Sequence, residues 1–201
     1  MAAVQLLLAT RNQHKRREFA RLLACDGARA VHLLALPQSV RLPPERGRTF
    51  AENALPKARA AAAASGIASI ADDSGIEAAA LAGEPGVRSA RYAGEHASDA
   101  QNLAKLLREA PAGSALQYVC AIAYVAPGAG AERVFEGRCS GRLAAAPRGE
   151  RGFGYDPAFL PDDGPAGLTM AELSDAQKDA ISHRGRAARA LLRYLQQVDR
   201  R

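Results

Sequence analysis

Residues 4–24 read VQLLLATRNQHKRREFARLLA. The first part, VQLLLAT (4–10), is a short apolar run with the character of a buried strand. In the second part, 12–24, Phe19, Leu22 and Leu23 recur at helical spacing. The stretch therefore predicts strand, tight turn and helix, the unit from which α/β sheets are built. Working outward, AVHLLAL (30–36) is a second strand candidate and PQSVRLPPERGR (37–48) a loop. TFAENALPKARAAAAAS (49–65) reads as a helix: Thr49 with Glu52 three residues later is a capping-box pattern, and Gly66 supplies the stop. Pro56 inside it predicts a kink or a later effective start. IASIA (67–71) is a third strand, expected to end at Asp72 and Asp73, and 83–94 is irregular. Residues 98–109 predict a helix capped by Ser98 or Asp99. Residues 115–126 and 133–144 read as the two strands of a hairpin around PGAGAE. Residues 147–161 form a glycine-rich loop, and 169–197 one or two closing helices. Strand–helix alternation followed by a hairpin indicates a mixed α/β sheet. With no internal repeat and no linker, 1–201 is expected to be a single domain.

The totals agree. A chain of 201 residues, 48% hydrophobic and 24% charged, is long enough for one domain with a substantial core. A formal charge of +6 suits an anionic partner. The Lys and Arg residues are spread along the chain, however, which argues against a dedicated nucleic-acid surface. Cys25, Cys120 and Cys139 form no C-x-x-C pair and read as reduced, mostly buried thiols. VQLLLA is too short for a signal-peptide core and no apolar run reaches membrane length. The expectation is a cytoplasmic protein without a membrane partner.

Five segments carry residues suited to chemistry. ATRNQHK (9–15) leaves a strand and opens a helix, where backbone N–H groups and the dipole favour phosphate, with Thr10, Asn12 and Lys15 adding donors. The plainer alternative is an N-cap on a basic surface helix. ERGRTFAENALPKA (45–58) offers Glu45, Glu52, Asn53 and Lys57, although a capping box alone accounts for Glu52. Asp72 and Asp73 in ADDSG sit at the strand end where α/β sheets place active sites. A hard divalent cation facing a phosphate would relieve their repulsion; the alternative is an Asp-rich turn with Gly75 at positive φ. GFGYDP (152–157) gives glycines for close approach and an aromatic, Phe153 or Tyr155, to stack on a base, or else a loop with core aromatics. KDAISHRG (178–185) brings Lys178, His183 and Arg184 near one helix, although a lone helical histidine is more often structural.

Taken in order, ATRNQHK, TFAENALPKA, IADDSGI, PGVRSARYAG, GFGYDP and ISHRG resemble the inosine triphosphate pyrophosphatase family over nearly the whole chain. The resemblance implies the ITPase-like fold of Maf and Ham1 proteins: an elongated central mixed sheet flanked by helices, in two lobes with an active-site cleft between them. It implies a homodimer and Mg²⁺-dependent hydrolysis of ITP, dITP or XTP to the monophosphate and pyrophosphate, a cleansing of the nucleotide pool. Carried over by motif, Thr10, Arg11, Asn12, Gln13, His14 and Lys15 would bind the triphosphate together with Lys57. Glu45 and Asp73 would hold Mg²⁺, with Asp73 also the proton acceptor and Asp72 orienting its neighbour or a metal-bound water. Ser74 would touch substrate. Phe153, Gly154, Tyr155 and Asp156 would hold the base, with Lys178, His183 and Arg184 completing the pocket. Arg11 and His14 stand where many relatives carry glycine, so Arg11 is expected to point away from the phosphates or to reach over them. Pro56 stands where an aliphatic residue is common.

Three rivals bound this reading. A Maf-like pyrophosphatase for modified pyrimidine nucleotides lacks a match for GFGYDP and SHR. A basic nucleic-acid-binding protein would give salt-sensitive binding and no role for the aspartate pair. A catalytically idle dimeric module has little use for carboxylates beside phosphate-binding cations.

Overall fold

A computed structural model describes residues 4–24, 31–128 and 130–198. In chain order the main elements are β1 (Val4–Leu8), α1 (Gln13–Leu22), β2 (Val31–Ala35), α2 (Phe50–Ser65), β3 (Ser69–Ala78), α3 (Asp99–Glu109), β4 (Ala115–Val125), β5 (Glu132–Leu143), β6 (Phe159–Pro161), α4 (Asp175–Ile181) and α5 (His183–Val198). The six strands form one mixed sheet in the order β2-β1-β3-β4-β5-β6. β1 runs parallel to both β2 and β3, with Leu6 opposite Leu33 and Leu8 opposite Ile70, while β5 and β6 are antiparallel. The expected hairpin strands are neighbours in the sheet, and Ala126 N–H donates to the Ala131 carbonyl at 2.9 Å where the chain turns.

The apolar run of β1 follows from burial on both faces, the usual condition of a parallel strand. Side chains alternate along it. Leu6 and Leu8 join Phe19 and Leu23 of the α1 region and Leu191 and Leu195 of α5. Leu7 and Ala9 join Ala54, Ala58, Ala61 and Ala62 of α2. The alanines of α2 are thus its sheet-facing stripe. Each fully buried leucine contributes roughly 1.5–3 kcal/mol.

Two expectations are corrected. β3 does not stop at the aspartates: it runs ten residues through them, Gly75 lies within the strand, and its φ is not positive. The continuation holds because Ile76 and Ala78 are themselves buried, in a second core with Leu106, Tyr118 and Phe159, and Ile76 N–H donates to Ser89 Oγ at 2.9 Å. Nor does Pro56 delay α2, which starts at Phe50. The Thr49 side chain accepts from Glu52 N–H, and Phe50, Asn53 and Ala54 are buried ahead of the proline, so cap and packing outweigh the lost backbone donor. The glycine-rich segment expected over 147–161 contains a 3-10 turn, Asp156–Ala158, and β6. Cys120 and Cys139 are free and buried, while Cys25 falls outside the described residues.

The chain divides into two compact units. One holds the chain up to Asp73, Cys120–Glu136 and the chain from Arg186; the other holds Ser74–Val119 and Gly137–Gly185. Among the described residues no helix is long and apolar enough to cross a membrane.

Candidate active site

Within the first unit, strand alternation turns the two aspartates to opposite faces of β3. Asp72 shares the face of Ile70, and Lys15 from α1 reaches its Oδ2 at 2.9 Å. The Cys120 thiol lies 4.0 Å from the same oxygen. Asp73 shares the face of Ala71, toward α2, where Asn53 Nδ2 donates to its Oδ2 at 2.9 Å. Lys57 spans the pair's surroundings, donating to Glu45 Oε1 at 2.5 Å and to the Asp72 carbonyl at 2.6 Å. Glu52, by contrast, accepts from Arg48 N–H at 2.7 Å, and its own N–H is held by the Thr49 cap. Asp72 and Asp73 are only 1% and 5% exposed.

This burial shapes the titration. Desolvation and the repulsion of Glu45 raise the Asp73 pKa, against the pull of Lys57, Lys15 and the Asn53 bond. Burial lowers that of Lys57, but attraction to Asp72, Glu45 and Asp73 outweighs it and the net shift is upward. The carboxylate thus binds a proton more readily than in water and the lysine holds its charge firmly.

The ATRNQHK segment is mostly exposed. Asn12 caps α1, its side-chain oxygen accepting from His14 N–H at 2.9 Å and Lys15 N–H at 3.1 Å, while Thr10 Oγ1 accepts from Asn12 N–H at 3.2 Å. Arg11 is committed elsewhere: its guanidinium donates to the carbonyls of Leu36, Pro37, Gln38 and Val40. His14 Nδ1 lies 3.3 Å from Arg17 Nη2, and Gln13 is the first residue of the helix.

The second unit gathers the remaining candidates. Asp156 is buried, and its Oδ2 accepts from Lys178 Nζ at 2.6 Å and from Phe153 N–H at 2.9 Å. The half-buried Phe153 ring is faced by the Lys178 ammonium at 5.3 Å and the Arg184 guanidinium at 5.7 Å from its centroid. Arg184, 1% exposed, donates from Nη2 to Ser74 Oγ at 2.7 Å. Tyr155 points the other way: it is buried in the core and its hydroxyl donates to the Ser89 carbonyl at 2.8 Å. Of the two aromatics, Phe153 is therefore the one presented among cations. Gly152, at φ +75°, has no room for a Cβ, which would collide with Asp156 Oδ2. Gly154 N–H is held by Asp99 Oδ2 at 2.8 Å.

The motif residues thus fall into two sets, each built inside one unit. The first is lysines and carboxylates; the second is an aromatic with cations and an aspartate. The sequence named Asn53 without its partner Asp73 and did not single out Tyr118, whose only signal is a hydroxyl in an apolar strand. Among the described residues no three His, Cys, Asp or Glu side chains converge as a ready-made metal cage. Glu45 and Asp73 are nonetheless hard oxygen donors whose mutual repulsion raises the Asp73 pKa. That donor set fits Mg²⁺, which uses one or two carboxylates plus waters and substrate phosphates rather than an all-protein cage.

Comparison with known proteins follows the same lines. The Ham1 family profile matches residues 6–194. A dITP/XTP pyrophosphatase of Mycolicibacterium paratuberculosis is 50% identical, the match covering 97% of each chain. The solved HAM1 protein of Coxiella burnetii superposes with a TM-score of 0.84 at 37% identity, over 96% of this chain and 99% of that one. A nucleoside-triphosphatase / dITP/XTP pyrophosphatase of Mycobacterium abscessus gives a TM-score of 0.70 at 44% identity, over 94% and 99%.

Proposed function

Since the chain belongs to the Ham1 family, we propose that it hydrolyses non-standard purine nucleoside triphosphates, ITP, dITP and XTP, to the monophosphate and pyrophosphate. The observation that carries this reading is the presence of two built sets in the expected motifs: lysines among buried carboxylates, and Phe153 with Lys178 and Arg184 near its ring.

Water attacks the α-phosphorus and pyrophosphate leaves. Charge spreads over phosphoryl oxygens in the transition state, so positioning and electrostatics supply most of the rate. Lys15, Lys57 and the backbone of Thr10–Lys15 hold the triphosphate; Arg11 contributes backbone, its guanidinium being engaged with 36–40. Asp73 takes the proton of the attacking water, and its raised pKa makes it a better base than an ordinary carboxylate. Asp72, fixed by Lys15, orients the strand beside it. Glu45 and Asp73 would hold Mg²⁺, which when bound neutralises charge on the phosphate oxygens.

The base stacks on Phe153. Inosine and xanthine present an acceptor O6 where adenine presents an N6 donor, and Arg184 and Lys178 can only donate. A site left with unpaired polar groups rejects the wrong base. Ser74 holds Arg184 in place. We also take the working form to be a cytoplasmic homodimer acting on free nucleotides, without a nucleic-acid partner.

Pyrophosphate release from ITP, XTP, GTP and ATP, with Mg²⁺ and with EDTA, tests the reading. The expected result is metal-dependent release from ITP and XTP with ATP and GTP nearly inert. No release from any purine triphosphate would overturn it.

A further inference from the structure

We infer that Tyr118 of β4 is a positioning residue for base selection, acting through Asp156 and His183 rather than by touching substrate. It is 6% exposed and joins two of the groups assigned to the base. Its hydroxyl donates to Asp156 Oδ1 at 3.1 Å. Asp156 Oδ2 is shared by Lys178 Nζ and Phe153 N–H, so the two carboxylate oxygens are divided between tyrosine and base-reading groups. The Tyr118 ring also lies flat against His183, centroids 4.5 Å apart and planes 5° from parallel, and tilts against Phe159 at 4.6 Å. His183 opens α5 and immediately precedes Arg184. One buried side chain thereby sets both the rotation of the aspartate that aims Lys178 and the plane of the histidine beside the arginine.

The chemistry gives the direction of the effect. A carboxylate that loses one buried donor rotates toward those remaining, here Lys178 and the loop N–H. Lys178 is then drawn from the ring it faces. A purine with an acceptor at its 6-position loses a donor, while the phosphate-holding set does not contain Tyr118 at all. The effect should therefore fall on base affinity and selectivity rather than on triphosphate binding.

The inference rests on the function proposed above, and the experiment separates the two. Tyr118→Phe keeps the ring on His183 and removes the hydroxyl alone. KM for ITP is expected to rise about tenfold, with kcat falling less and the ITP-to-ATP preference narrowing. Calorimetric affinity for IMP should fall by a similar factor while affinity for pyrophosphate is unchanged. Tyr118→Leu, which also removes the stack on His183, should go further in the same direction. Leu106→Ala, in the same core and fully buried, serves as the structural control: it should lower Tm without moving selectivity. An active wild type whose Tyr118→Phe variant shifts only Tm, like the control, would overturn the inference and leave the function standing. A wild type inert toward ITP would overturn both.

Discussion

Adjacent carboxylates are tolerated here because β3 turns Asp72 and Asp73 to opposite faces and gives each its own partner, Lys15 and Asn53. The balance differs between them. The folded pKa of Asp73 lies above its unfolded one, chiefly by desolvation. Its charge therefore costs stability, a cost absent below the unfolded carboxylate range that develops as pH rises through the folded value. Asp73→Asn should raise Tm at neutral pH, lose that gain in acid, and reduce turnover by at least about 100-fold. A drop in Tm at neutral pH would show that the lysines, not desolvation, dominate. Lys57 has the opposite sign: its raised pKa means a contribution present below the unfolded lysine range and lost as pH climbs through the folded value. Lys57→Met removes the donor to Glu45 and to the Asp72 carbonyl and should cost about 1–3 kcal/mol by denaturant unfolding. For Arg184→Ala the readout is selectivity: the ITP-over-ATP ratio of kcat/KM should shrink about tenfold, and an unchanged ratio would remove Arg184 from base reading.

At the scale of elements, α2 organises the carboxylates. Its cap Thr49 fixes where the helix begins, Asn53 holds Asp73 through Nδ2 and the Gly47 N–H through Oδ1, and Lys57 holds Glu45 one turn on. Gly47 packs so closely that an added Cβ would sit 2.8 Å from Asn53 Oδ1. Thr49→Ala should cost about 1 kcal/mol, a Tm decrease of about 2–4 °C, and lower turnover with it as Asn53 and Lys57 lose their register. Unaltered kinetics would separate cap from site. Much of this element was legible: the Thr49 cap, glycine stop and alanine stripe are local patterns, although Glu52 accepts from Arg48 N–H rather than closing a box on Thr49. The continuation of β3 past the aspartates was not, because Asp, Ser and Gly carry turn propensity and only the burial of Ile76 and Ala78 in a distant core overrides it. The partners of Asp73 and Asp156 were hidden for the same reason. Motif spacing names the charged residues and Asn53, but not that Asn53 meets Asp73 at a sequence separation of 20 or that Tyr118 meets Asp156 at 38.

At the scale of the whole molecule, the chain passes from one unit to the other at Asp73–Ser74, Val119–Cys120, Glu136–Gly137 and Gly185–Arg186, within β3, β4, β5 and α5. A division that falls inside regular elements predicts one cooperative unfolding transition, with calorimetric and van't Hoff enthalpies equal; two resolved transitions would contradict it. The same crossings mean that no single cut separates the two units: a break at Asp73–Ser74 leaves the second whole but splits the first, because Cys120–Glu136 and the chain from Arg186 belong to the first. A single end-to-end fusion that exchanges the second unit therefore exchanges part of the first with it. A change of base preference that leaves the first unit untouched has to arise by substitution in place, and a growing chain has made the second core by Ile181 but completes the first only with Leu191 and Leu195 of α5.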